Sequence, residues 1–265
     1  MALVQFPGSQ PGALQPDLED DEETGGKMSF LEHLDELRKR IVQSLLGVAI
    51  GVGLGFFFIN PIVNFILTPT WHVLPQGSRM IYTQPGEAFG LYVQVGLIVG
   101  IVLSSPWIMY QVWLFIAPGL YANEKKFAVP FVLMSSIGFV GGAAFNHYIV
   151  FPFMMAFFAS FNTADLIFMP RLEDVFDLYT KMLIGMGLVF QMPTVVFFLA
   201  KLRIVTARFL LRNTKYAVLA IFVVAAVITP SGDMITQTIF AAPMLGLYAL
   251  SILIAWIVTP KREIS

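Results

Sequence analysis

The 265-residue chain contains no cysteine, which excludes a disulfide framework, thiolate metal sites and a cysteine nucleophile. Charge is scarce as well. Only 12% of residues are Asp, Glu, Lys or Arg, about half of what a water-soluble domain of ordinary composition carries. H-E-x-x-H, the Walker phosphate loop, G-x-S-x-G and any paired-carboxylate metal constellation are missing too. The three histidines, His33, His72 and His147, fall in separate segments and read as surface or interfacial groups. Nothing here points to an enzyme, a cofactor or a metal. No repeat period and no inverted symmetry relates the two halves. Residues 1–16 lack a basic n-region and a continuous apolar h-region, and they hold Pro7, Pro11 and Pro16. They do not read as a cleavable signal peptide, so the first apolar span is expected to act as its own insertion signal.

What the chain has in abundance is apolar sequence: 57% hydrophobic residues and a mean hydropathy of +0.76. These residues come in blocks long enough to cross about 30 Å of hydrocarbon. The expected fold is therefore an all-α integral membrane protein with six transmembrane helices. Residues 1–27 are rich in Pro, Gly and Gln and carry an acidic run from Asp17 to Glu23. Such a segment buries too little apolar surface to offset its ordering entropy, and it reads as a disordered cytoplasmic extension. An amphipathic helix is expected over 29–40, opened by the capping pair Ser29 and Glu32. Its apolar stripe is Phe30, Leu34, Leu37 and Ile41, suited to a membrane surface, and Asp35–Lys39 and Glu36–Arg40 are (i, i+4) ion pairs.

The membrane domain covers 28–260, with spans at about 41–59, 88–116, 127–150, 175–199, 214–229 and 235–257, followed by a 261–265 tail. A short helix fits at 61–67 in the first outer loop. No charge lies between Glu87 and Glu124, so the second span is read as long, tilted and kinked at Pro106. Residues 151–172 read as a loop lying partly in the interface. The fifth and sixth helices are expected to be short, which calls for local bilayer thinning or a covering partner.

Orientation follows from the basic residues. One side holds Lys27, Arg38, Lys39, Arg40, Lys125, Lys126, the Lys201–Lys215 loop, Lys261 and Arg262; the other holds Arg79, Arg171 and Lys181. That asymmetry requires an even number of spans with both termini in the cytoplasm.

Polar groups at or within the membrane are costly and point to a cavity or partner. Glu36 and Glu124 lie on the cytoplasmic side, Gln191 sits mid-span beside Pro193, and Thr229, Ser231, Asp233, Thr236 and Gln237 cluster at the outer tip of the last two helices. Taken singly, Glu36 reads as an ordinary helix-face charge and Gln191 as an interhelical hydrogen bond. Composition and pattern stop at a six-span protein with a polar cluster.

The run Ser29-Phe30-Leu31-Glu32-His33-Leu34-Asp35-Glu36-Leu37-Arg38-Lys39-Arg40 resembles the N-terminal signature of the TatC family, receptors of the twin-arginine protein translocase. The resemblance continues in order through Leu74-Pro75-Gln76-Gly77, Ser105-Pro106, Tyr110 to Tyr121, Glu124, Phe190-Gln191-Met192-Pro193, and Thr229-Pro230-Ser231-Gly232-Asp233 with Gln237. It covers about 28–258.

The resemblance implies a non-enzymatic receptor and scaffold in the bacterial inner membrane. Such a receptor binds Arg-Arg signal peptides of folded cargo and gathers single-span TatA- and TatB-type partners into a multimeric, proton-motive-force-driven site, with no role for nucleic acid. It places signal binding at Glu36 and Glu124, with Arg38 orienting Glu36 or fixing the helix and Phe115 and Leu120 packing the site. A carboxylate accepts a guanidinium fork bidentately, which suits this role. Asp233, Gln237 and Thr229 would dock a partner's transmembrane helix. Members of the family often carry glutamate where this chain has Gln191. An amide hydrogen-bonds but does not titrate near neutral pH, so a polar contact to a partner helix or inserted signal peptide is expected there. The competing reading is a secondary transporter or ion channel, which predicts midplane titratable groups and repeated halves; an intramembrane enzyme would need a nucleophile–base or metal set.

Overall fold

A computed structural model describes residues 30–74, 79–116, 128–163, 165, 167–229 and 233–258. The acidic extension 1–27, Ser29, the turn at 124–126 and the 261–265 tail lie outside the described residues. Among the described residues ten α-helices carry the fold: α1 (Phe30–Phe57), α2 (Ile59–Val73), α3 (Glu87–Ile116), α4 (Ala128–Phe145), α5 (Phe151–Ala159), α6 (Leu172–Val189), α7 (Met192–Lys201), α8 (Ala207–Arg212), α9 (Thr214–Ile228) and α10 (Met234–Val258). Among the described residues the sole extended pairing is a parallel bridge between Ile81 and Arg171.

The amphipathic segment and the first span form one continuous helix, α1. No glycine or proline interrupts 30–46, so the backbone has no reason to break where the polar face gives way to lipid-facing residues. The chain turns at Phe58, three residues before Pro61, and α2 runs over 15 residues with Pro69 inside it. That is twice the length expected of it. The second span is the 30-residue α3, helical through Pro106.

The third span reaches beyond 150. Pro152 has no N–H to donate to the Tyr148 carbonyl, and the helix widens into a π turn over Asn146–Val150 before continuing as α5. The apolar stretch from Val129 to Ala159 thus crosses as one element of 31 residues, and 151–159 is helix rather than loop. In the fourth span Pro193 has the opposite effect, ending α6 at Val189 and restarting the chain as α7 at Met192. Helix α9, at 15 residues, rises about 22 Å and falls short of the hydrocarbon thickness. The expectation of two short helices holds for α9 alone. Helix α10 has 25 residues, about 37 Å, and Pro243 does not break it.

Among the described residues five stretches, α1, α3, α4 with α5, α6 with α7, and α10, are long and apolar enough to cross a membrane, with α9 as a shorter apolar sixth. Helix α1 lies along α3, α4 bridges α3 and α6, and α10 packs on α7 and α9. The α1–α3 contact is made by glycine. Gly47, Gly51 and Gly55 of α1 face Gly96, Gly100 and Ser104 of α3; a Cβ on Gly51 would stand 2.6 Å from the Gly100 carbonyl oxygen, and one on Gly100 would stand 2.7 Å from the Val52 nitrogen. Small residues let the backbones approach so closely, which is where helices in lipid gain their packing energy. The Ser104 hydroxyl donates to the Gly47 carbonyl at 2.8 Å and the Trp107 indole to the Gln43 carbonyl at 2.9 Å. The central core is filled by Phe151, Met154, Met155, Phe176, Met182, Met186, Phe240 and Met244, each 2% exposed or less.

One buried carboxylate fixes the start of α3. Glu87 accepts from the backbone N–H groups of Thr83 (2.8 Å), Gln84 (3.2 Å) and Glu173 (3.2 Å), and Arg171 stands 3.7 Å away. The Glu173 bond satisfies an orphan donor in the first turn of α6. A single side chain therefore ties the loop before α3 to the start of α6.

Candidate functional site

The start of α1 and the end of α3 run antiparallel and meet at one end of the bundle. The His33 ring stacks on Phe115 with centroids 4.4 Å apart and planes 22° from parallel. One turn along, Glu36 pairs with Arg40, whose Nε donates to Oε1 at 2.7 Å and whose Nη2 reaches the same oxygen. The remaining terminal nitrogen, Nη1, donates to the side-chain oxygens of Gln43 and of Gln111 on α3, each at 3.2 Å. Gln111 is 2% exposed. The Glu36 and Arg40 side chains are 18% and 17% exposed, enough cover to strengthen the pair over an open surface contact. Among the described residues every bond to this carboxylate falls on Oε1, and Oε2 accepts none.

Arg38, expected to orient Glu36, is exposed, and Arg40 holds the carboxylate. The (i, i+4) spacing foreshadowed that pair, but not its link across to α3. Phe115 stacks on His33 and lines a cavity together with Arg40 and Gln111. Glu124 and Leu120 belong to the connection between α3 and α4 and lie outside the described residues. Helix α3 ends at Ile116, next to the ring stacked on His33.

Gln191 sits at the break between α6 and α7, and its Nε2 donates to the Ser135 carbonyl of α4 at 2.9 Å. The amide thus makes an interhelical bond. Its Oε1 accepts no hydrogen bond among the described residues. At the tip formed by α9 and α10, Asp233 caps α10: Oδ1 accepts from the N–H groups of Ile235 (3.0 Å) and Thr236 (2.8 Å), and Oδ2 from the Thr236 hydroxyl (2.6 Å). Gln237 Nε2 donates to the Phe222 carbonyl at 2.7 Å, strapping α10 to α9, while Thr229 donates to the Ala225 carbonyl at 2.8 Å. The residues expected to dock a partner therefore first build the tip itself. Ser231 lies outside the described residues.

The histidines differ from the surface reading in one case. His147 is 4% exposed, turned inward at the π turn, stacked on Phe65 at 4.0 Å, with Nδ1 3.1 Å from the Tyr179 hydroxyl. Next to it, both side-chain atoms of the fully buried Asn146 are without a hydrogen bond. Sequence analysis reads His147 as a surface or interfacial group and passes over Asn146; the only signal is two adjacent polar residues in an apolar span.

The comparisons with known proteins agree with one another. Residues 32–243 match the family described as Sec-independent protein translocase protein (TatC). A Sec-independent protein translocase protein TatC of Koribacter versatilis (strain Ellin345) is 40% identical over 241 residues, covering 89% of this chain and 88% of that one. The protein of the same description from Helicobacter pylori (strain J99 / ATCC 700824) is 40% identical, covering 87% and 90%, and that of Aquifex aeolicus (strain VF5) 33%, covering 89% and 98%. A crystal structure of the twin arginine translocase receptor TatC superposes with a TM-score of 0.77 at 32% identity, covering 86% of this chain and all of that one. With the six-element bundle and the α1–α3 site already in view, the chain belongs to the TatC family of Sec-independent protein translocase proteins.

Proposed function

We propose that the chain is the receptor and scaffold subunit of a bacterial twin-arginine translocation system. It sits in the inner membrane with both termini cytoplasmic, grips the Arg-Arg motif of signal peptides on folded cargo, and recruits single-span TatA- and TatB-type partners for proton-motive-force-driven export. It catalyses no covalent chemistry. The observation that carries this reading is Glu36: a mostly covered carboxylate at the bundle end where basic residues concentrate, oriented through one oxygen by Arg40, with the second accepting no hydrogen bond among the described residues. Glu124 supplies the second carboxylate and Leu120 further packing. A hydrogen bond to a charged group contributes about 1.5–3 kcal/mol net, which corresponds to roughly 10- to 100-fold in affinity. Asp233, Gln237 and Thr229 shape the docking tip for a partner helix, and Gln191 offers its oxygen to a partner helix or inserted signal peptide.

The test is photocrosslinking from positions in 30–40 and 120–126 to a synthetic Arg-Arg signal peptide in membranes. Glu36→Lys or Glu124→Lys should abolish the crosslink while membrane insertion and yield persist. Crosslinking that survives both reversals would remove the carboxylates from the site.

A further inference from the structure

Glu36 already holds a guanidinium. Arg40 turns two of its nitrogens onto Oε1 and commits the third to Gln43 and Gln111. A carboxylate grips an incoming guanidinium best with both oxygens in one plane, two parallel N–H···O bonds at once. With Oε1 taken, a ligand either makes a one-point contact on Oε2 or exchanges with Arg40.

We propose that Arg40 is an internal stand-in for the ligand's guanidinium, and that signal recognition is an exchange reaction in which the ligand's fork replaces it on Glu36. The proposal rests on the reading of Glu36 as a signal-binding carboxylate. Three features support exchange over simple addition. The pair is mostly covered, so stripping Glu36 of its cation without a replacement would leave a partly buried charge unpaired, which is strongly unfavourable; swapping one guanidinium for another avoids this. Arg40 has somewhere to go, because Nη1 is anchored on the buried Gln111 and on Gln43. Arg40 lines a cavity of about 220 Å³ shared with Leu37, Ile41, Leu45, Gln111 and Phe115, so the released head group has room beside its remaining bonds. Exchange also selects. A lysine ammonium is a point charge without the planar fork and competes poorly against a resident arginine. Arg40 and Gln111 thereby become specificity-determining residues: the first is the competitor and the second its resting place.

The experiment measures binding of a synthetic Arg-Arg signal peptide and its Lys-Lys counterpart to the full chain in lipid nanodiscs. If Arg40 competes, only the fraction of receptors with Glu36 released binds, and removing the competitor tightens the apparent Kd by that fraction. Arg40→Gln should then bind the Arg-Arg peptide about three- to ten-fold tighter and narrow the gap between the two peptides. Gln111→Leu removes the resting place and should act in the opposite direction, weakening binding about two- to five-fold. Lys39→Gln removes the same charge from the same helix and should change the Kd less than about two-fold, since the bulk charge effect at this exposed position is screened. Weaker or unchanged binding in Arg40→Gln, or an equal gain in Lys39→Gln, overturns the proposal. Should Arg40→Gln fail to insert, Arg40→Lys keeps the charge without the fork and is expected to tighten binding in the same direction; no gain there is equally fatal. Glu36→Gln separates the two levels. If it leaves the Kd unaltered in both the native and the Arg40→Gln backgrounds, the receptor site itself is misassigned, whereas loss of binding by Glu36→Gln with no gain from Arg40→Gln rejects the exchange alone.

Discussion

Substituting Gly51 by alanine adds one methyl group to a place with no room for it. The new Cβ would lie 2.6 Å from the Gly100 carbonyl oxygen, and that oxygen belongs to backbone, which cannot swing aside as a side chain would. The helices must part instead. Overpacking of this kind costs about 1–3 kcal/mol, and separation also loosens the Ser104–Gly47 hydrogen bond, typically worth about 0.6 kcal/mol between membrane helices. The sum is about 2–4 kcal/mol, or a fall of roughly 4–16 °C in Tm at about 2–4 °C per kcal/mol. Gly53 is the internal control. It lies two residues on, exposed, with nothing within 4 Å of its added Cβ, and alanine there gains the helix propensity that glycine lacks. Heating each variant in detergent and reading the surviving monodisperse fraction by fluorescence-detected size exclusion should place Gly51→Ala well below the parent and Gly53→Ala at or above it. Equal midpoints for the two would refute the glycine-contact account of the α1–α3 pairing.

Two further outcomes follow from single residues. Arg203 holds a left-handed backbone, φ 60°, where the N–H groups of Arg203 and Ile204 bond the Ala200 and Leu199 carbonyls at 3.0 and 2.9 Å to close α7; Arg203→Gly removes the Cβ penalty and should raise the midpoint by about 1 kcal/mol's worth of stability in the same assay. Gln237→Leu deletes the strap from α10 to the Phe222 carbonyl, and co-purification of a single-span TatA- or TatB-type partner should fall several-fold, a hydrogen bond in lipid being worth about 0.6–2 kcal/mol; undiminished co-purification would reject the tip as a docking surface.

The spans were legible because lipid imposes a crude rule, long apolar blocks bounded by charge. The second span is the clearest case: a charge-free run ends at Glu87 and the helix begins there. The prolines behave differently from one span to the next. Pro193 does break its helix, but Pro69 and Pro243 sit inside intact ones and Pro152 follows a π turn that absorbs its missing donor. The difference lies in whether neighbouring helices and the local turn re-satisfy the freed carbonyl, and sequence carries no trace of that. At the site, Glu36–Arg40 could be read from helical spacing. Gln111, 71 positions away, could not, because its partnership exists only once glycine contacts bring α3 against α1. The same holds for Glu87 on the first turn of α6, a contact across 86 positions.

A common design runs through the polar residues that family resemblance singled out. Glu36 is held through Oε1 by Arg40, Gln191 through Nε2 by the Ser135 carbonyl, and Gln237 through Nε2 by the Phe222 carbonyl. In each the second polar atom, an oxygen, accepts no hydrogen bond among the described residues. One half of the group fixes orientation and removes the entropy cost of ordering the side chain, while the other remains a preset acceptor. For Gln191, mid-span, an acceptor in the apolar interior attracts a donor more strongly than it would in water, because few alternatives are at hand. At the two glutamines, loosening that anchor should therefore be felt as a loss of affinity, whereas at Glu36 the anchor is itself the competing guanidinium and its removal acts in the opposite direction. On the proposed function, the internal hydrogen bonds of these polar residues are therefore part of recognition: they hold the glutamine oxygens in place, and they occupy the Glu36 carboxylate until a ligand guanidinium replaces Arg40.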